Sequence, residues 1–266
     1  MEEEKKITIM SRWKSVTLDV NTILYVLMNK NTAEIHVAGG KVYKTRRTCA
    51  ELGPKLGEDF INVRRGCLVS VMAIHNITKK INLINGETLP YTARKKKGII
   101  KQMYSQRRKI IDSFTKEGIP STPEEYREYY SSFERMPFAF TDIEMVFDEQ
   151  RHAVDWIFRY GNSALSELEM IPIEELIGST FGSLFKNMDS KWLRSYERAA
   201  LFGEMLEMID YSPEIDKYLK VICFPTFRGH CGCMLFDLSD IKFTRNSADA
   251  GNALMYYFQN SLHANS

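Results

Sequence analysis

"EDFINVRRGCLVSVMAIHNI", residues Glu58–Ile77, is the stretch on which the reading of the first half turns. Ile61, Val63, Cys67 and Val69 alternate as in a half-buried β-strand. A straight strand would place Arg65 on that same apolar face, where an unpaired guanidinium is costly. A bulge at Arg64-Arg65-Gly66 removes the conflict. Gly66 takes the left-handed conformation that a bulge or loop needs, both arginines swing clear of the sheet, and the alternation resumes at Cys67. Two adjacent guanidiniums on a fixed backbone can fork onto phosphates or onto the O6 and N7 of guanine. Ion pairing with Glu58 or Asp59 is the structural alternative.

Outward from this stretch the first ~110 residues read as mainly β. "WKSVTLDVNTILYVLMN" (Trp13–Asn29) is rich in β-branched and aromatic residues and splits near Asp19-Val20-Asn21. "AEIHVAGGKVYKT" and "INLINGETLPY" predict tight hairpins, because Gly39-Gly40 and Asn85-Gly86 tolerate the positive φ of a primed turn. "TCAEL" fits a capping box, with Thr48 as N-cap and Glu51 reaching back; the spacing predicts a short helix stopping at Gly53-Pro54. In "ARKKKGIIKQMYSQRRKIIDSF", Ile99, Met103, Ile110 and Phe114 form a helical stripe. The polar side of that helix is strongly basic.

The net charge of +2 hides an asymmetry. Residues 1–110 carry 22 Lys and Arg against 9 Asp and Glu, a balance of +13, and residues 111–266 carry 14 against 25, a balance of −11. The break predicts two domains with different partners. The basic half is the candidate for nucleic acid, against the plainer reading of a solvated basic face.

The acidic half opens on a helix capped by Thr122, with Pro123 at its first position and Glu125 completing a capping box. Tyr126, Tyr129, Tyr130 and Phe133 line one face of it, suited to a connector or dimer element, or to packing on its own domain. Two strands follow around Asp148–His152. "NSALSEL" and "PIEELIG" read as short helices. A longer helix starts at Asp189 or Ser190 and ends at Gly203, and three more strands run to Ile241. Strands grouped apart from helices predict an α+β domain with an antiparallel sheet. The tail from Thr244 reads as a helix through Ala253, Leu254, Tyr257 and Phe258.

Several classes are set aside by what the sequence lacks. No apolar run approaches a membrane span, and the charged start Met1–Lys6 has no secretory apolar stretch behind it. Five cysteines, an odd number without framework spacing, point to free thiols in a reducing compartment, so the cytoplasm is expected. With no P-loop, no Gly-rich nucleotide fingerprint, no HExxH and no Gly-x-Ser-x-Gly, catalysis is not expected.

The order "ILY", hairpin, short helix, "FINVRRGCLVSVMAIHNI", then "NGETLPYTARKKKGIIKQM" resembles the LytTR DNA-binding domain of bacterial regulators, from Leu24 to Tyr104. The resemblance implies an elongated, mainly β fold whose loops enter successive major grooves of duplex DNA. It places Arg64 and Arg65 on the basic pair of the first reading loop. Thr92-Ala93-Arg94 falls on the second contact segment, where the family often has Ser-Arg. Ala93 stands at that arginine position, so either Arg94 takes over with a shifted register or base reading differs there. Gly66 and Ser70 replace commoner serine and asparagine, and Asn29 to Thr32 lies near a third contact loop. With the basic clusters at Lys44, Arg46, Arg47 and at Arg94, Lys95, Lys96, these are the candidate DNA-binding residues.

Pro137 to Ile241 resembles a PAS domain. The match rests on "WIFRYGNSALSEL", "PIEELIGSTFGSLF", "SYERAALFGE", "YLKVICFPTF" and "CGCMLFDLSDI", with Asn162 to Ala164, Glu175 to Gly178 and Asp240-Ile241 at the family's motif positions. It implies a five-stranded antiparallel sheet and helices enclosing a pocket for ligand sensing, dimerisation or both. The candidate pocket residues are Trp156, Phe158, Phe181, Phe185, Phe224, Cys231 and Cys233, with core filling as the alternative for the aromatics. No cofactor is predicted: the Asn-Cys-Arg motif of a flavin-adduct domain is missing, and His152 and His230 read as solvated or packed. "HCGC" lacks a second ligand pair, and on a strand Cys231 and Cys233 share a face while His230 points away. They read as small core thiols.

The expected organisation is therefore a LytTR-like domain over 1–112, a helical connector over 113–136, a PAS-like domain over 137–243 and a tail over 244–266. The function expected is that of a one-component transcriptional regulator, binding double-stranded DNA as a homodimer and taking a small-molecule ligand or none. The competing reading is a signalling adaptor that uses both domains for protein contacts, for which Ala93 is the best support.

Overall fold

The computed structural model describes residues 5–114, 118–186 and 189–238. The first half is mainly β. Strands β1 (Lys6–Ser11) and β2 (Lys14–Asp19) form an antiparallel hairpin. β3 (Ile23–Asn29), β4 (Thr32–Val37), β5 (Val42–Thr45), β6 (Phe60–Arg64) and β7 (Cys67–Ser70) form a five-stranded antiparallel sheet ordered β5-β4-β3-β7-β6. A smaller sheet, β10-β9-β8, is built from β8 (Ile74–Ile77), β9 (Ile81–Leu83) and β10 (Thr88–Leu89). Helix α1 (Cys49–Leu56) lies between β5 and β6, and α2 (Lys96–Asp112) follows β10.

Several expectations need correction here. Neither glycine hairpin closes through a two-residue turn: the Val37 N–H bonds the Lys41 carbonyl and the Leu83 N–H the Glu87 carbonyl, leaving three-residue loops. The chain does not run on through Arg64-Arg65-Gly66 as one bulged strand. It reverses, with Arg64 opposite Cys67 and Arg65-Gly66 as a two-residue turn. A bulge is present one step earlier, at the register shift between Asn62 and Arg64. The apolar alternation survives the reversal, because Ile61, Val63, Cys67 and Val69 all face one core with Ile74, Ile81, Ile99 and Met103. Helix α1 has the expected Thr48–Glu51 capping box but runs through Gly53-Pro54 to Leu56. Leu52 and Leu56, one turn apart, are both fully buried against the other face of the sheet, with Ile35, Phe60 and Leu68. Burying such a leucine is worth ~1.5–3 kcal/mol, which holds the second turn despite the one backbone donor that Pro54 removes.

In the second half, β11 (Ala139–Phe147), β12 (Ala153–Gly161), β13 (Leu206–Ser212), β14 (Lys217–Pro225) and β15 (His230–Asp237) form an antiparallel sheet ordered β12-β11-β15-β14-β13. This is the five-stranded sheet that the PAS resemblance implied. Helices α4 (Ser163–Glu169), α5 (Ile173–Leu176), α6 (Phe181–Leu184) and α7 (Ser190–Phe202) accompany it. Leu165, Leu176, Phe181, Trp192, Tyr196 and Ala199 from these helices pack on Ile143, Trp156, Phe158, Val221 and Cys223 of the strands.

The connector helix α3 (Pro123–Tyr129) is capped by Thr122, and Glu125 reaches back to the Ser121 N–H, at 2.6 Å, one residue earlier than a capping box requires. Its aromatic stripe packs on its own domain: Tyr126 and Tyr130 are buried with Phe140 and Tyr160, and Phe133 joins them. That stripe is not available to a twin chain; Tyr129 alone of the four is exposed. The tail helix and Asp240-Ile241 lie outside the described residues.

The halves touch. Phe202 at the end of α7 is buried in the core that holds Ile99 and Met103. Arg151 pairs with Asp112 of α2 at 2.5 Å, and the Tyr104 ring meets His152 edge-on. Among the described residues no helix is long and apolar enough to cross a membrane.

Candidate nucleic-acid interface

The β6–β7 hairpin fixes the loop that carries Arg64 and Arg65. Gly66 sits at φ +71°, and a Cβ there would lie 2.9 Å from the Cβ of Met28. The Gly66 carbonyl accepts the Met28 N–H at 2.7 Å, so the turn is tied down on the end of β3. Arg65 projects from this turn into solvent, whereas Arg64 is half-buried and its Nε has no hydrogen-bond partner. Neither takes the ion-pair alternative. Glu58 pairs with Lys109 and Asp59 with Lys5, each at 3.7 Å.

The bulge has a use that its position explains. By breaking the ladder it leaves the Val63 carbonyl outside the sheet, where it accepts the Thr92 N–H at 3.0 Å. The Lys95 ammonium donates to the Asn62 carbonyl at 3.2 Å and to its side-chain oxygen at 2.9 Å. The Thr92–Lys95 segment is thereby clamped beside the Arg64-Arg65 loop. Ala93, Arg94 and Lys95 form a 3-10 turn leading into α2, and Arg94 and Lys95 are exposed. Lys96 is half-buried and reaches the Thr78 carbonyl at 3.4 Å.

The other candidates gather at the same end of the five-stranded sheet. Thr45, at the end of β5, pairs with Ala33 at the start of β4, and Asn29 at the end of β3 pairs with Thr32. Arg46 and Arg47 therefore emerge beside the Lys30-Asn31 turn, which in turn neighbours the Arg65-Gly66 turn across β3 and β7. From β5 to β6 is four strand spacings, roughly 19 Å. Arg46 is exposed; Arg47 is half-buried with Nη1 unpartnered. Lys44 is held by Glu34 at 2.8 Å, so its charge is met within the sheet. Lys30, exposed and at φ +56°, lies in the Asn29 to Thr32 segment and sits between the two groups. Asn62 was missed, since a bulge that frees one carbonyl leaves no residue pattern.

Arg107 was the largest surprise on α2. It occupies the predicted apolar stripe, is buried, and donates to the carbonyls of Val71 and Met72 at 2.9 and 3.4 Å and to that of Ile74. These carbonyls belong to the turn between the two sheets and to the first residue of β8. Arg107 is thus a structural cation, and the basic count of α2 overstates its free charge.

In the second half the candidate pocket residues divide. Trp156, Phe158, Phe181, Cys231 and Cys233 share the main core, with Phe185 packed at its edge. Phe224 does not belong with them: it lies on the opposite face of the sheet with Phe140. Trp156, Phe158, Phe181 and Cys233, with Trp192 and Tyr196, line a cavity of about 40 Å³. Cys231 and Cys233 do share a face, sulfur to sulfur 3.6 Å, while His230 points the other way. His230 Nδ1 meets Asp142 Oδ1 at 2.8 Å, and the other oxygen of Asp142 accepts from Tyr130 and Thr226. This buried network was not legible, because its members are far apart in the chain. Among the described residues no group of His, Cys, Asp or Glu is assembled to hold a metal ion.

Residues 14–104 match the family model of the LytTr DNA-binding domain. Among solved structures the chain is similar to the LytTr DNA-binding domain of a Bacillus cereus response regulator, at 15% identity over 37% of this chain and 95% of that one, TM-score 0.34. It is also similar to the Rhodobacter sphaeroides LOV protein, at 17% identity over 49% and 76%, TM-score 0.33. A domain of a sensory box histidine kinase/response regulator from Geobacter sulfurreducens matches at 17% identity over 46% and 100%, TM-score 0.30. No curated protein matches the chain.

Proposed function

We propose that the chain is a one-component transcriptional regulator that reads duplex DNA with the end of its five-stranded sheet. One observation carries this reading: the two segments with candidate arginines, far apart in sequence, are hydrogen-bonded to one another through Val63 and Asn62. Together they form one exposed basic edge. Arg65 is the residue best placed to fork onto a guanine edge, and Arg94 to take the role that Ala93 leaves open. Arg46, Arg47, Lys44, Lys95 and Lys96 with Arg64 serve phosphates and positioning.

The organisation that goes with it is a reader over 1–112, a connector over 113–136, a PAS-like domain over 137–243 and a tail over 244–266. The PAS-like domain serves ligand sensing, assembly or both. A homodimer through the acidic half would make the second DNA contact intramolecular, raising avidity by about 10²–10⁴.

The test is binding of the whole chain to duplexes selected from a random pool, measured by fluorescence anisotropy across a salt series. Neutralising ~5–8 phosphates gives a slope of log K against log salt of about −5 to −7. A salt-independent affinity, or no binding at all, would favour the adaptor reading. Sedimentation of the whole chain, alone and on DNA, tests the dimer.

A further inference from the structure

The β1–β2 hairpin ends in a turn whose chemistry is not explained by folding. Ser11 pairs with Lys14, so Arg12-Trp13 is a two-residue loop, and both residues have positive φ, 48° and 66°. Asn-Gly is the usual occupant of such a turn, and positive φ is a genuine outlier for a bulky residue like tryptophan. Trp13 is 89% exposed, while Trp156 and Trp192 are 3% and 4% exposed. An outlier conformation that holds a large aromatic ring out in water motivates a functional reading.

Its neighbours give the ring a partner. The Arg46 guanidinium lies 5.9 Å from the Trp13 ring centroid, so the hairpin tip stands beside the β5 end of the basic edge. Arg12 and Lys14 flank the ring, and both are exposed. Arg65 and this tip occupy opposite flanks of one sheet end, roughly 19 Å or more apart by strand spacing. A major groove is ~12 Å wide, so when Arg65 is in the groove the tip falls beyond its wall, over the adjoining backbone and minor groove. The matched family region begins at residue 14, so Arg12 and Trp13 lie outside it.

We propose that the Arg12-Trp13 turn, with Arg46, is a second contact on duplex DNA: the indole packs on the sugars at the minor-groove edge, and the guanidiniums hold the flanking phosphates. This rests on the duplex-reading function proposed above and extends the footprint to one side. It acts on any sequence, because neither sugars nor phosphates encode one.

Trp13 is its own reporter, since the other two tryptophans are buried. In the whole chain, saturating duplex DNA shields Trp13 from acrylamide quenching. Trp13→Ala removes the quenchable emission and weakens binding at least about fivefold, within the range for losing an aromatic–nucleotide contact. Arg12→Asn with Trp13→Gly supplies an ideal turn, so the hairpin is kept and the same loss is expected. The loss is equal on selected and random duplexes, whereas Arg65→Ala discriminates between them. Removing base pairs from one flank of the selected duplex weakens the wild type and not the variants. If the chain binds DNA in an Arg65-dependent way, yet Trp13 stays quenchable and both variants bind within twofold of wild type, the second contact is wrong and the reading function stands. If no duplex binds at all, both fall.

Discussion

Replacing Gly66 by alanine tests whether the hairpin turn sets the aim of Arg65. Two costs arise at one atom. Residue 66 sits at φ +71°, where an L side chain costs ~1–2 kcal/mol. The new Cβ would also stand 2.9 Å from Met28 Cβ and 3.2 Å from its Cγ. Met28 cannot simply retreat, because its N–H is bonded to the Gly66 carbonyl at 2.7 Å and β3 is paired on both sides. Forced overpacking of this kind costs ~1–3 kcal/mol. Alanine returns ~0.4–1 kcal/mol by restricting the unfolded chain. The net expectation is a loss of about 2–4 kcal/mol. With a slope of ~2 kcal/mol per molar urea, the middle of the range for small domains, the unfolding midpoint of this domain, followed by circular dichroism, falls by about 1–2 M. Gly66→Asn separates the causes. Asparagine tolerates the left-handed region but keeps the Cβ, so recovery assigns the loss to φ and no recovery assigns it to Met28. In the surviving folded fraction, discrimination between selected and random duplexes falls with it. An alanine variant within 0.5 kcal/mol of wild type, a threshold typical of neutral surface changes, would refute the reasoning.

Other outcomes follow from the same geometry. Arg65→Ala costs ~1–3 kcal/mol on the selected duplex and little on random DNA if it reads a base; equal losses on both make it a phosphate contact. Arg94→Ala, tested in the same way, decides whether it replaces the arginine missing at Ala93: no loss on either DNA excludes it. Among the five cysteines only Cys49 is not buried, and burial pushes the Cys67 thiol up to about 11. A disulfide reagent near neutral pH therefore titrates one thiol quickly in the folded chain and five after unfolding; fast reaction of Cys231 or Cys233 would contradict the packed core. Burial, with Glu214 nearby, pushes the Glu169 carboxyl up to about 7. A raised carboxyl binds its proton more tightly folded than unfolded. Stability contributed by that proton is present at low pH and is lost as pH rises from about 4.5 to 7. Glu169→Gln removes part of that decline, and an unchanged pH–stability profile would disprove the shift.

Local signals carried most of the fold. The caps at Thr48, Thr122 and Asp189 were legible because each needs only one side chain and a helix beside it. The alternation Ile61, Val63, Cys67, Val69 identified one buried face correctly even though the chain reverses between Val63 and Cys67. That is also why the reversal was hidden: a two-residue turn alone inverts the parity of the alternation, and the extra residue of the bulge at Val63 restores it, so the two strands read as one. The site was legible only as a list. Arg65 and Arg94 could be picked out by type, but their juxtaposition depends on the Val63 carbonyl and on Lys95 reaching Asn62, which are long-range hydrogen bonds without a motif. Phe224 failed for another reason: on strand β14 it alternates with Cys223, and assigning it to the wrong face moved it across the sheet. Arg107 was counted with the surface charge because nothing in sequence marks the carbonyls it satisfies.

Three of the turns on the reader's edge contain only two residues each: Arg12-Trp13, Lys30-Asn31 and Arg65-Gly66. Each is closed by ladder hydrogen bonds on both sides, so the backbone that carries the contacting side chains has almost no freedom left to lose. Ordering a flexible loop costs ~1–2 kcal/mol per residue in backbone entropy. Here that cost is met when the protein folds rather than when it meets DNA. Association would then proceed as a rigid-body encounter steered by the positive edge, with only side-chain rotamers to settle. The heat capacity change on binding would reflect the surface covered and the DNA deformed, with no contribution from coupled folding.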